Sequence, residues 1–287
     1  MQKKLLIAII SLFLTISSGL AQELDIRIAP KSVGQGKTLV VYLESPQTLK
    51  DLKADFLGRE IKFYEIRENN YRAIIGIPFI TKPGRYKILF TIKTEEGLKV
   101  EWKETVQIKR TVFKKEALSI PPEKSGYLTS KYLGKEGKRI RRTYEKEELE
   151  QLWKGRFIFP AEGRISSPFG AYRVYNKGKA SWRHKGVDIA NKEGTEVLAP
   201  NSGIIVLSKD MRVHGGTIII SHGQGIFSIF SHLKERLVKK GGEVERGQLI
   251  GTMGRTGLAT GPHLHWGLCA SGIVVDPLEW TKRKIKD

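Results

Sequence analysis

"HLHWGLCASGIVVDP", residues 263–277, opens with strict alternation: histidines at 263 and 265, apolar residues at 264 and 266. A period of two belongs to a β-strand, not a helix. Leu264 then points to a core while His263 and His265 face out together, roughly 7 Å apart at strand rise. Two such imidazoles could be two ligands of one metal, a ligand and its catalytic partner, or two polar groups on a wet face. The stretch alone leaves all three open.

The same pattern extends upstream to Phe157. "GTEVLAPNSGIIVLS" (194–208), "GGTIIISHG" (215–223), "GIFSIFSHL" (225–233) and "GGEVERGQLIGTMG" (241–254) are β-rich runs punctuated by glycine, and no long helical period appears before "DPLEW". Residues 155–287 therefore read as an all-β or nearly all-β domain. Residues 22–108 also read as strands, among them "KTLVVYLE", "YRAIIGIP" and "RYKILFTI", separated by turn signals such as "GQG", "ENN" and "KPG". About seven strands in so short a span predict an immunoglobulin-like sandwich. This segment has no histidine, so it reads as a spacer or binding module.

Residues 109–154 differ in character. Positions 109–142 hold eleven Lys or Arg against three Glu, the composition of a solvated basic linker. "TYEKEELEQLW", with Thr143 as N-cap and acidic residues in the first turn, predicts a short helix at its end. At the other end of the chain, "MQKKLLIAIISLFLTISSGLAQ" has the layout of a signal peptide, residues 1–21, so export to the periplasm or cell surface is expected. The net charge of +20 calls for anionic surroundings. Export makes nucleic acid an unexpected partner and favours anionic envelope polymers, held through the basic linker. Cys269 is the only cysteine, which excludes an internal disulfide and a cysteine-built zinc site.

All six histidines fall between 184 and 265. "HKGVD" places His184 four residues before Asp188, "FSHL" offers His232, and "HLHW" adds His263 and His265. Each is a weak signal alone. Together they supply a His, an Asp and a second His, the kind of three-ligand set that a catalytic zinc uses while leaving a position open. No H-E-x-x-H is present, so proton handling falls to other groups, with surplus histidines available. His214 and His222 lie beside glycines and read as loop residues outside the site.

The stretches "SSPFGAYRVYNKGKASWRHKGVDIANKEGTEVLAP", "GQGIFSIFSHL", "VERGQLIGTMGRTGLATGPHLHWGL" and "VDPLEW" resemble, in the same order, the lysostaphin/LytM family of zinc endopeptidases of peptidoglycan. The resemblance runs from about residue 159 to 280. It implies a mostly antiparallel β-sheet with a zinc groove, with zinc held by His184, Asp188 and His265 and with His263 and His232 as the catalytic pair. The loop "RVYNKGKASWR" would line the groove, with Arg173 and Asn176 as substrate contacts. Two positions depart from the family's habit: Phe230 stands where tyrosine is common, and Gly267 where glutamate is common. Neither is a ligand. The implied function is an exported zinc metalloendopeptidase acting on peptidoglycan. The alternatives are an inactive scaffold or activator of cell-wall hydrolases, and a lipoyl/biotinyl-type carrier, whose modified-lysine hairpin is missing.

Overall fold

The computed structural model describes residues 24–285 apart from 129, 146 and 147. The expected signal peptide lies outside the described residues. Within them no helix is long and apolar enough to cross a membrane.

The N-terminal part is a sandwich of two sheets. One has four strands in the order Asp25–Ala29, Thr38–Glu44, Asn70–Gly76, Tyr64–Arg67; the other has five, in the order Ser32–Gly34, Lys99–Lys109, Gly84–Thr94, Leu49–Phe56, Arg59–Ile61. Alternation fills the space between them: Ile88, Phe90 and Ile92 of one sheet meet Leu39, Val41, Leu43 and Ile75 of the other. The runs "LVV" and "AII" do not alternate, because both faces of their strands are covered. Val40 and Ile74 point the other way, into the core of the C-terminal part.

That second part is built on a ten-stranded sheet. Its spine runs Arg164–Ser167, Val187–Ala190, His263–Ala270, Ile226–Arg236, Gly215–Gly223, Gly203–Met211, Glu243–Val244, and every pairing along it is antiparallel. The strand Gly215–Gly223 is buried along its whole length. The protein is thus mostly β, as the sequence predicts.

The connecting segment is neither a free linker nor helical where expected. Lys115–Leu118 forms a strand parallel to Tyr172–Tyr175, which pairs in turn with Ala180–Arg183. The long helix spans Ser130–Tyr144 and stops where the acidic run begins, so the expected helix from Thr143 onward is corrected. Ile140 and Tyr144 anchor it against Phe227 and Cys269. From Glu148 to Trp153 the described residues are irregular instead: the Gln224 N–H donates to the Glu148 carbonyl (2.7 Å) and the Leu152 N–H to that of His222 (2.8 Å). Trp153 is buried beside Trp280, which also meets Phe157 edge-on at 5.2 Å. Burial of that indole outweighs the local helical preference of the acidic run.

Candidate active site

The antiparallel pairing of Val187–Ala190 with His263–Ala270 sets Asp188 opposite His265 and Ala190 opposite His263. On the other side of His265 lies Ser231, one residue before His232. Strand register alone therefore gathers Asp188, His232, His263 and His265 from three strands distant in sequence. His184 joins them from the turn before Val187, its backbone fastened by two bonds: its N–H donates to Ala171 and its carbonyl accepts from Gly170, both at 2.9 Å. The Gly186 between them is required by close approach, because a Cβ there would lie 2.4 Å from the Trp266 carbonyl oxygen.

Three atoms converge. His184 Nε2 lies 3.0 Å from Asp188 Oδ1 and 2.9 Å from His265 Nδ1, and that nitrogen lies 2.9 Å from the same carboxylate oxygen. His184 and Asp188 are buried and His265 is half-buried. The tautomer of His184 follows from its other nitrogen, which meets the Pro168 carbonyl at 2.9 Å. A carbonyl only accepts, so Nδ1 carries the proton and the Nε2 lone pair faces the cluster. Lone pairs of two nitrogens and one oxygen, aimed at one point, suit a borderline cation with three protein ligands, and zinc is the metal that prefers such a set. Among the described residues this is the group able to hold a metal ion.

The charge states agree with that use. Burial opposes ionisation of Asp188, yet His184 and His265 hold its carboxyl well below the usual carboxylate range. Burial pushes His265 down to about 4, against the pull of Asp188. At neutral pH the set is one carboxylate and a neutral His265, the protonation state that metal ligands need.

Beside this cluster sit His232 and His263, ring centres 4.8 Å apart. Both are oriented by backbone: His232 Nδ1 meets the Thr256 carbonyl at 2.8 Å and His263 Nδ1 that of Gly261 at 2.9 Å. Each therefore keeps its proton on Nδ1 and offers a free Nε2 lone pair. His263 Nε2 lies 3.8 Å from Asp188 Oδ1, next to the ligand cluster. His232 has φ of 66°, a left-handed conformation that is uncommon outside glycine. Burial, with His263 and His265 as neighbours, depresses its pKa well below the ordinary value.

The two residues expected to contact substrate, Arg173 and Asn176, both have partners within the chain. Arg173 is an ion-pair partner of Asp188 through Nη2, and its Nε lies 3.2 Å from Glu116. Asn176 Oδ1 accepts the Ile120 N–H at 2.7 Å. Both face the connecting segment of their own chain. Their loop position suggested substrate, and nothing in the sequence announced Glu116 as the neighbour of Arg173 or Ile120 as that of Asn176. His222 is a fully buried strand residue, not a loop one, bonded to the Ser202 carbonyl (2.7 Å) and the Ser228 hydroxyl (2.9 Å). His214 does lie in a turn, where Nδ1 donates to Glu136 at 2.7 Å. Phe230 belongs to the main core. At Gly267, a Cβ would come within 2.6 Å of Ile229 Cγ2, which accounts for glycine there.

Comparison with known proteins agrees with this geometry. Residues 182–277 match the model of Peptidase family M23. The chain is 34% identical over 148 residues to peptidoglycan DD-endopeptidase ShyA of Vibrio cholerae, a match covering 52% of this chain and 32% of that protein. It is 33% identical over 127 residues to the murein hydrolase activator NlpD of Escherichia coli, covering 44% of this chain and 31% of that one. The matched region thus spans about a third of the length of these curated relatives. A crystal structure of a "putative peptidase M23" from Pseudomonas aeruginosa superposes with a TM-score of 0.64 at 29% identity, covering 86% of this chain and 94% of that one. That breadth of coverage extends the likeness beyond the metal cluster to the sandwich and the connecting segment. The peptidases of this family are zinc metallopeptidases, and this chain carries a His/Asp/His group able to bind such an ion. Residues 182–277 form a peptidase family M23 domain of the lysostaphin/LytM type.

Proposed function

We propose that the protein is an exported zinc metalloendopeptidase that hydrolyses peptide bonds in the stems or crosslinks of bacterial peptidoglycan. The observation that carries this reading is the paired arrangement: three converging lone pairs on His184, Asp188 and His265, next to two histidines whose free Nε2 atoms are fixed by backbone carbonyls. Zinc held by those three residues would supply Lewis acidity for the scissile carbonyl and a water of lowered pKa. The chain's own part is proton transfer. His263, whose Nε2 is close to the ligand cluster, takes the proton of the attacking water, and its Nδ1–H bond to Gly261 stabilises the resulting imidazolium. The proton on His263 is the one returned to the departing amine, directly or through His232, which enters neutral, is oriented by Thr256 and has its ring centre 4.8 Å from that of His263.

His184→Ala or His265→Ala should lose zinc and activity together. His263→Ala should keep zinc and lose about 100-fold or more in turnover. Zinc content and release of soluble fragments from purified sacculi measure both, and a His263→Ala chain as active as its parent would overturn the assignment of the base. The similarity to NlpD supports a second reading, a non-catalytic activator. Purified chain that neither holds zinc nor cuts sacculi after zinc is added would favour it.

The anionic partner is supported by a groove of about 680 Å³ between the long helix and the strand Gly203–Met211. Lys135, Lys138, Arg139, Arg142, Lys209 and Lys240 line it, with Glu148 the one carboxylate among its lining residues. Retention on sacculi should fall steeply as salt rises through the physiological range, where charge attraction is screened within about 8 Å.

A further inference from the structure

Asp188 has two carboxylate oxygens, and only one faces the histidines. Oδ1 meets His184 and His265, while Oδ2 is held by Arg173 Nη2. Arg173 is held in turn: its Nε lies 3.2 Å from Glu116 Oε2, which also accepts a 2.6 Å bond from the Ser167 hydroxyl. Ser167 is the cross-strand partner of Asp188, so the chain of contacts closes into a ring around the carboxylate. The side chains of Asp188, Arg173 and Glu116 are 8%, 12% and 18% exposed, so water screens these charges weakly.

Glu116 comes from the connecting segment, far from the metal cluster in sequence. It arrives because Lys115–Leu118 adds a parallel strand alongside Tyr172–Tyr175, in a register that sets Glu116 beside Arg173. The bond from the Ile120 N–H to Asn176 fixes the end of that strand.

We propose that Arg173 and Glu116 are positioning residues of the metal site, Arg173 fixing Asp188 as a one-oxygen ligand and Glu116 neutralising the cation that does so. The inference rests on the zinc-site reading above. Charge makes the pair necessary. Asp188 alone gives the site one negative charge. A buried guanidinium against it would bring the sum to zero and remove the net attraction for a divalent cation. Glu116 restores the net charge of minus one while leaving the orienting bond in place. Such outer partners of metal ligands commonly set affinity by 10- to 100-fold.

The test is zinc affinity of the full chain, measured by competition with a chromophoric chelator, with thermal unfolding run alongside to verify that each variant is folded. Arg173→Gln should weaken zinc about 10- to 100-fold, because Oδ2 is released. Glu116→Gln, nearly isosteric, should weaken it by about tenfold or more, because the cation is left unbalanced. The double variant should bind zinc no worse than Arg173→Gln alone, since without the guanidinium there is no charge left to neutralise. A purely structural role predicts instead that the two losses multiply. Parent-like zinc affinity in folded Glu116→Gln, or multiplying losses in the double variant, would overturn the proposal while leaving the zinc site standing. A parent chain that binds no zinc would overturn both together.

Discussion

At the scale of single residues, the histidines divide by what their second nitrogen meets. His184, His232 and His263 all give their Nδ1–H to a backbone carbonyl, which fixes where each Nε2 points. Sequence located these residues through spacing, but a tautomer depends on a partner that only the folded chain supplies. His222 shows the opposite outcome. Glycine neighbours made it look like a loop residue, yet it is buried in a strand against Phe157, with ring centres 4.8 Å apart. Burial pulls its pKa down from 6.5 to about 4. The unfolded chain therefore takes up this proton first as the pH falls. Stability from the neutral imidazole is complete above about 6.5 and is lost progressively between 6.5 and about 4. The loss amounts to about 3 kcal/mol at most. Denaturant unfolding of the parent and of His222→Gln across that range should show a steeper decline in the parent; parallel curves would refute the shift.

At the scale of elements, the long helix ties the connecting segment to the site. Glu136 accepts the N–H groups of Arg212 (2.7 Å), Val213 (3.0 Å) and His214 (3.1 Å), together with His214 Nδ1. The carbonyl of His214 accepts the His232 N–H at 2.8 Å, so the helix braces the strand that presents a catalytic candidate. Burial works against the Glu136 anion, but His214 and these amides hold its pKa below the ordinary value. Glu136→Gln removes that charge and turns an amide N–H₂ towards donors. It should cost about 1–3 kcal/mol of stability and lower turnover, with zinc content unchanged. Unfolding curves and metal analysis read the two effects separately, and a loss of zinc would point to a different coupling. The basic helix was legible as charge but not as position. Its acidic neighbours mark a first turn by local rules, whereas Ile140, Tyr144 and Trp153 decide by what they bury.

At the scale of the whole molecule, the sandwich and the peptidase domain share a core and not merely a tether. Arg72 of the sandwich is completely buried; it donates to Gln151 Oε1 at 2.5 Å and to Gln224 Oε1, and lies over the Trp153 ring. Lys37 pairs with Asp276 at 2.6 Å, and the Arg59 guanidinium donates to the Ser271 carbonyl at 2.7 Å. Arg72→Ala should cost about 3 kcal/mol, since it leaves the buried Gln224 amide oxygen and the half-buried Gln151 one without that donor and opens a cavity. Calorimetry of the parent should show one transition, and two well-separated ones would contradict a shared core. By itself the sequence determined the β architecture and which histidines and aspartate belong together. Those properties are written in short-range period and spacing, and in motifs the chain shares with its family. Only the tertiary structure decided that the basic segment is docked, that Glu116 stands behind the metal cluster, and that Arg173 and Asn176 turn towards their own chain. These depend on strand register and on burial between segments distant in sequence, where the free energy of a contact is set by partners that no local window contains.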